Sequence, residues 1–185
     1  MGRPVEPIRH HINPYLHSIG IRRFVRLGTK EAVAIVPNVV DKIKEYQAAG
    51  DTVVFTKDTH FENYMETQEG KNLPVEHCIK GTDGHEICDE IKAVIDPETC
   101  KVYEKLTFGS SEFAQDLKNG VYDDAESITL IGLCTDICVI SNAMLCKTFL
   151  TETPVYIDAK CCAGVTVESH NNALKAMEMC QIKIV

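Results

Sequence analysis

The chain has 185 residues, 44% of them hydrophobic and 25% charged, with a net charge of −8. That is the composition of one globular domain, and it excludes disorder, collagen and a coiled coil. No apolar run approaches the roughly 20 residues of a membrane span, and the acidic balance argues against a nucleic-acid-binding surface.

The first 26 residues stand apart. They hold all five arginines (Arg3, Arg9, Arg22, Arg23, Arg26) and one acid, Glu6, for a net +4, whereas residues 27–185 set fourteen lysines against 26 acids, a net −12. Residues 1–27 therefore read as an atypical basic N-terminal segment. Its best strand candidate, Ile19–Leu27, is interrupted by three arginines. A strand buried between helix layers is near-continuously apolar, and burying unpaired guanidinium groups costs several kcal/mol each. The segment is expected to be an exposed arm or an edge element. The first central strand is then doubtful, and the sheet is expected to be loose, with an open slot.

From Gly28 onward helices and strands alternate. Pro37–Ala49 is a predicted helix, with Val39, Val40, Ile43 and Tyr46 in one stripe, Pro37 in the first turn and Gly50 as the stop. Thr52–Thr56 is a β-branched strand, and Lys57 to Gly84 reads as a long polar loop. A helix over His85–Ile95, a strand over Lys101–Leu106 and a helix over Ser111–Lys118 follow. The remaining predictions are strand Ser127–Leu133, helix Ile137–Leu150, strand Val155–Ala159, helix Glu168–Met179 and strand Ile182–Val185. Strands separated by helices imply a three-layer α/β domain over residues 28–185, a doubly wound parallel sheet with right-handed crossovers.

In such sheets ligands gather at the carboxyl ends of the strands, and three groups fall there. Cys138 follows the strand ITLIGL at a helix N-terminus, where the dipole and free N–H groups favour a thiolate and can hold an oxyanion. Lys105 ends the strand KVYEKL; an ammonium there either stabilises that thiolate or is a solvated surface charge. Asp58 and His60, with His77 further on, suit zinc or another transition divalent ion. Glu62, Glu66, Glu69 and Glu76 read as a solvated acidic loop, and His85 and His170 as surface or helix-end residues. The other cysteines read as small buried hydrophobes. Nine cysteines, an odd count without a secretory pattern, point to free thiols in a reducing cytoplasm.

Four ordered stretches, Lys57-Asp58-Thr59-His60, Leu73 to Gly84 (LPVEHCIKGTDG), Lys105 to Phe113 (KLTFGSSEF) and Gly132 to Val139 (GLCTDICV), resemble the isochorismatase-like cysteine hydrolases, and among them the nicotinamidases. The resemblance runs from about Gly28 to the C-terminus. It implies Cys138 as nucleophile and Lys105 as a second triad member. Asp58, His60 and His77 become ligands of a divalent metal (zinc first, iron or manganese as alternatives), with Glu66 as a fourth. It also implies a cis Leu133–Cys134 peptide and an oxyanion hole from the N–H groups of Cys134 and Cys138. The implied reaction, in NAD metabolism, hydrolyses nicotinamide or a similar small carboxamide to the acid and ammonia through a thioester. A cytoplasmic homo-oligomer is implied as well.

The family's first strand ends in an Asp-x-Gln-like motif whose aspartate is the triad's proton acceptor. Here Ile21 to Arg26 stand in that place, and no aspartate precedes Asp41. Three explanations remain open: a shifted reading frame upstream of about residue 27, a non-catalytic binding or assembly protein on a hydrolase scaffold, or a base from a partner subunit.

Overall fold

The computed structural model describes residues 10–14, 30–95 and 100–185. Its strands are β1 (His10–Pro14), β2 (Thr52–Asp58), β3 (Lys101–Lys105), β4 (Ala125–Leu133), β5 (Val155–Ala163) and β6 (Lys183–Ile184). They form one sheet in the order β3-β2-β1-β4-β5-β6, and every neighbouring pair is parallel. The helices are α1 (Lys30–Ala34), α2 (Val36–Ala49), α3 (Gln68–Asn72), α4 (Asp89–Lys92), α5 (Ser111–Lys118), α6 (Ile140–Phe149) and α7 (Val167–Met179). Right-handed crossovers place α2 and α4 on one face and α5, α6 and α7 on the other, in keeping with the packing of α2 on α4 and of α6 between α5 and α7. This is the expected three-layer, doubly wound α/β fold.

Local sequence explains the element ends. Pro37 sits in the first turn of α2, where a missing N–H costs nothing, and Gly50 closes it in the left-handed conformation, φ +80°. Ser110 caps α5 by accepting from the Phe113 amide, and Thr166 with Ser169 forms a capping box on α7. β2 and β4 are buried almost throughout, as strands covered on both faces must be.

The expected open slot is not there. β1 fills the sheet centre, pairing Ile12 with Thr52 of β2 and with Ile128 of β4. The strand that does so is His10–Pro14, not the arginine-interrupted stretch; Ile19–Leu27 lies outside the described residues. Ladder pairing needs only backbone donors and acceptors in register, so apolarity was too strict a criterion. Pro14, which has no N–H, stands at the strand's last position, where it interrupts nothing further along.

Two other expectations change. The polar loop contains a 3₁₀ turn (Tyr64–Glu66) and α3. The helix expected over His85–Ile95 is only α4, preceded by a 3₁₀ turn at Asp83–His85, because Glu86 and Cys88 are extended. The core is led by Ile43, Phe55, Tyr103, Phe113, Ile128 and Leu130, all fully buried. The Phe113 ring meets Tyr103 at 5.4 Å and Tyr122 at 5.6 Å between centroids. Phe113→Ala should lower the unfolding free energy by about 3–5 kcal/mol. Val121→Ala, at a site 53% exposed, should stay within about 0.5 kcal/mol. Urea unfolding of the two variants checks both.

Candidate active site

β2 and β3 end side by side, with Asp58 in register with Lys105. β4 ends at Leu133, the Leu133–Cys134 peptide is cis, and the chain enters a single π-helical turn, Thr135–Val139, before α6. The Cys134 carbonyl accepts from three successive amides, Ile137 (3.1 Å), Cys138 (3.0 Å) and Val139 (3.1 Å). That sharing winds the turn wider than an α-helix and holds Cys138 over the strand ends. Of the two amides expected to hold an oxyanion, that of Cys138 is thus already shared with Cys134.

Lys105 is not a solvated surface charge. It is 2% exposed, and its Nζ donates to Asp58 Oδ1 at 3.0 Å, to the Thr107 carbonyl at 2.8 Å and to Cys138 Sγ at 3.5 Å. Cys138 is itself buried. Burial pushes its thiol up to about 12, against the downward pull of the Lys105 ammonium; the Asp58 carboxylate adds to the rise.

Asp58, His60 and His77 form a second group, with their ligand atoms within 4.8 Å of one another. His60 Nε2 stands 3.7 Å from Asp58 Oδ1. Glu66 is exposed on its 3₁₀ turn and is not in this group. The carboxylate that faces it belongs to Glu69, whose Oε1 lies 3.6 Å from His60 Nε2 and 3.7 Å from His77 Nε2. Thr67 caps α3 by accepting from the Gly70 amide. Gly70 packs so tightly on Tyr64 that a Cβ there would lie 2.1 Å from the Tyr64 carbonyl oxygen. The threonine cap ahead of Gln-Glu-Gly was the sequence signal for this helix, and it places Glu69 in the first turn.

The donor set fits a cation. His60 Nε2 is buried and has no hydrogen-bond partner, an expensive arrangement unless a further partner binds it. His77 Nδ1 faces the Val75 carbonyl at 2.8 Å, so that nitrogen donates and Nε2 keeps its lone pair. The Tyr64 ring wedges both imidazoles, 4.7 Å from His60 and 5.0 Å from His77, and its hydroxyl donates to the Leu73 carbonyl at 2.9 Å. Burial lowers His60 and favours its neutral form; burial and then the Asp58 charge raise Glu69.

Other candidates fall elsewhere. His85 is buried, not superficial, and meets Thr59 Oγ1 at 2.9 Å. His170 is half-buried at the start of α7, with Nδ1 2.8 Å from Thr135 Oγ1.

With this geometry in hand, the comparisons with known proteins fall into one group. The isochorismatase domain family matches residues 20–185. The chain is 24% identical to a nicotinamidase of Schizosaccharomyces pombe over 203 aligned positions, covering 94% of this chain and 88% of that protein. In fold it is similar to a pyrazinamidase of Pyrococcus horikoshii solved in complex with zinc (TM-score 0.77, 23% identity, 97% of this chain and 99% of that one). It is also similar to a pyrazinamidase/nicotinamidase of Streptococcus mutans (TM-score 0.78, 19% identity, 95% and 99%).

A thiol raised by burial keeps its proton at neutral pH, and only the thiolate is alkylated. Labelling of Cys138 by iodoacetamide should therefore keep climbing above pH 9, about tenfold per unit, where an ordinary cysteine has levelled off after its pKa of about 8.5. Mass spectrometry of the Cys138 peptide reads this; a plateau near pH 8.5 contradicts it.

Proposed function

The chain belongs to the isochorismatase family, and from that premise we propose that it is a cysteine amidohydrolase that releases ammonia from nicotinamide or a similar small carboxamide. The observation that carries this reading is the buried Lys105 ammonium held between Cys138 Sγ and Asp58, beside the Asp58–His60–His77 group. The names of the similar proteins, a nicotinamidase and pyrazinamidases, support it.

In this reading the Cys138 sulfur attacks the carboxamide carbon. Lys105, one N–H from that sulfur, stabilises it as a thiolate. The oxyanion that forms is held by the Cys134 and Cys138 amides, the latter swinging part of its bond away from the Cys134 carbonyl. The proton that the Cys138 thiol gives up ends on the departing nitrogen, so collapse breaks the C–N bond, expels ammonia and leaves a thioester, which water cleaves to the acid and the free thiol. Asp58, His60 and His77 would hold a divalent cation, with Glu69 replacing Glu66 as the fourth side chain; two imidazoles and two carboxylates suit zinc, with iron and manganese as alternatives. A bound cation supplies Lewis acidity for fixing a ring nitrogen of the substrate. Nine free cysteines accord with a cytoplasmic setting, and no described helix is long and apolar enough to cross a membrane.

A second reading, a binding or assembly protein that keeps the fold and metal group without turnover, is favoured by one observation: no aspartate precedes Asp41. Ammonia release from nicotinamide, measured with and without added zinc, separates the two. Turnover that falls by at least about 10³-fold in Cys138→Ala supports the amidohydrolase. Zinc binding with neither turnover nor thiol labelling by a reactive carboxamide analogue leaves the second reading standing. For the metal set, Glu69→Gln should weaken zinc binding at least about tenfold and Glu66→Gln should leave it unchanged, as titration against a chromophoric chelator will show.

A further inference from the structure

We propose that His85 is a clasp that holds together the two segments carrying the metal-binding residues, and so sets their affinity for a divalent cation; this rests on the metal reading above. Asp58 and His60 come from the end of β2, whereas His77 comes from a loop that returns much later. The group exists only while those segments stay in register. Two backbone bonds join them on one side, His60 N to the Cys78 carbonyl (2.9 Å) and Lys80 N to the His60 carbonyl (2.8 Å).

The other side is closed by side chains. Successive residues of an extended chain point to opposite faces, so Thr59 points away from the face that Asp58 and His60 share. Its side chain is buried, and its hydroxyl donates to the Lys57 carbonyl at 3.3 Å. The same hydroxyl meets His85 Nε2 at 2.9 Å, the shorter of its two hydrogen bonds, with the imidazole tautomer setting which atom donates. Glu104 Oε1, at 3.9 Å from the same nitrogen, is too far to compete.

His85 ends the 3₁₀ turn Asp83–His85. The residue before that turn, Thr82, is tied back to the Ile79 carbonyl by both its amide (3.1 Å) and its hydroxyl (2.7 Å). Between His77 and His85 the chain is therefore a closed loop hung on Thr59. Pulling in His85 also explains why no helix begins there: Glu86 is extended, with ψ 145°, and α4 starts only at Asp89. The buried, unpartnered Nε2 of His60 shows what the clasp protects. Its distance from His77 is not fixed by any hydrogen bond of its own, so loosening the two segments widens the site directly. His85 is a positioning residue and touches neither cation nor substrate.

The test is zinc affinity of the full chain, read by competition with a chromophoric chelator. His85→Ala should weaken zinc by about 10–100-fold, the usual cost of losing a residue behind the ligands. His85→Gln, whose amide N–H reaches the same hydroxyl, should recover most of that loss, a rescue that mere packing would not give. Thr59→Val should match His85→Ala, and the double variant should be no worse than either. Equal zinc affinity in His85→Ala and wild type overturns the clasp, as do additive losses or a glutamine variant as weak as the alanine. Should His85→Ala fail to fold by circular dichroism, Thr59→Val against His85→Gln decides the matter on the same readout. A wild-type chain with no zinc affinity overturns the metal reading itself, and the clasp with it; only a wild type that binds can overturn the clasp alone.

Discussion

Lys105 carries its ammonium into the interior at the end of β3, where a carboxylate, a carbonyl and a thiol each accept one of its hydrogens. Removing such a cation from water costs several kcal/mol, and only well-placed partners offset it. The three partners come from different parts of the fold: Asp58 from the end of β2, Thr107 from the loop after β3, and Cys138 from the turn after β4. The cation can be satisfied only if those ends arrive together, so the site reports the register of the whole sheet. Taking away one partner of a buried pair typically costs about 3–5 kcal/mol, more than most surface contacts in a chain of this size can repay.

The parallel sheet makes that convergence natural. The strand order reverses between β1 and β4, and crossover helices lie on opposite faces either side of that point. In such sheets ligands gather beside that point, at the carboxyl ends of the strands. Asp58 then has two claims on it. Its Oδ1 accepts a hydrogen bond from Lys105 Nζ, and the same Oδ1 lies 3.7 Å from His60 Nε2. One carboxylate therefore joins the surroundings of Cys138 to the Asp58–His60–His77 group. The Tyr64 ring packs against both imidazoles of the second group, and this tyrosine of an otherwise polar stretch is fully buried.

Much of this was legible in the residues, for identifiable reasons. α2 carries its own start and stop signals in Pro37 and Gly50, and β4 is an apolar run followed at once by Cys138, so period and punctuation agree. Asp58, His60 and His77 could be named because their residue types are rare together. Glu69 could not be told from Glu66 by type, since both are glutamates in one polar stretch; the Thr67 cap and the space left by Gly70 separate them. His85 reads as superficial because it opens the stretch His85–Ile95, which predicts a helix. Its burial depends on Thr59, twenty-six positions earlier, a contact that no local pattern encodes. β1 escaped notice for the opposite reason. Its pairing is made by backbone, while its sequence, HHINP, is unlike the apolar run expected of a central strand.

The charge boundary near residue 27 gains a sharper meaning from the contacts of Lys105. An amine that donates three hydrogen bonds has no lone pair, so it can steady a thiolate but cannot accept the thiol's proton. To accept it, Lys105 must first hand a proton on, and among the described residues the carboxylate it touches is that of Asp58. A carboxylate that binds a cation is a poor proton acceptor, because the cation's charge favours its ionised form. Asp58 therefore cannot serve fully as metal ligand and as terminal base in one cycle. In the amidohydrolase reading with a metal bound, the proton from Cys138 needs an acceptor other than Asp58. The first strand, at whose end the resemblance expects that acceptor, closes with Asn13 and Pro14, and no aspartate precedes Asp41. The same buried ammonium that makes the site recognisable thus defines what the N-terminal segment would have to supply.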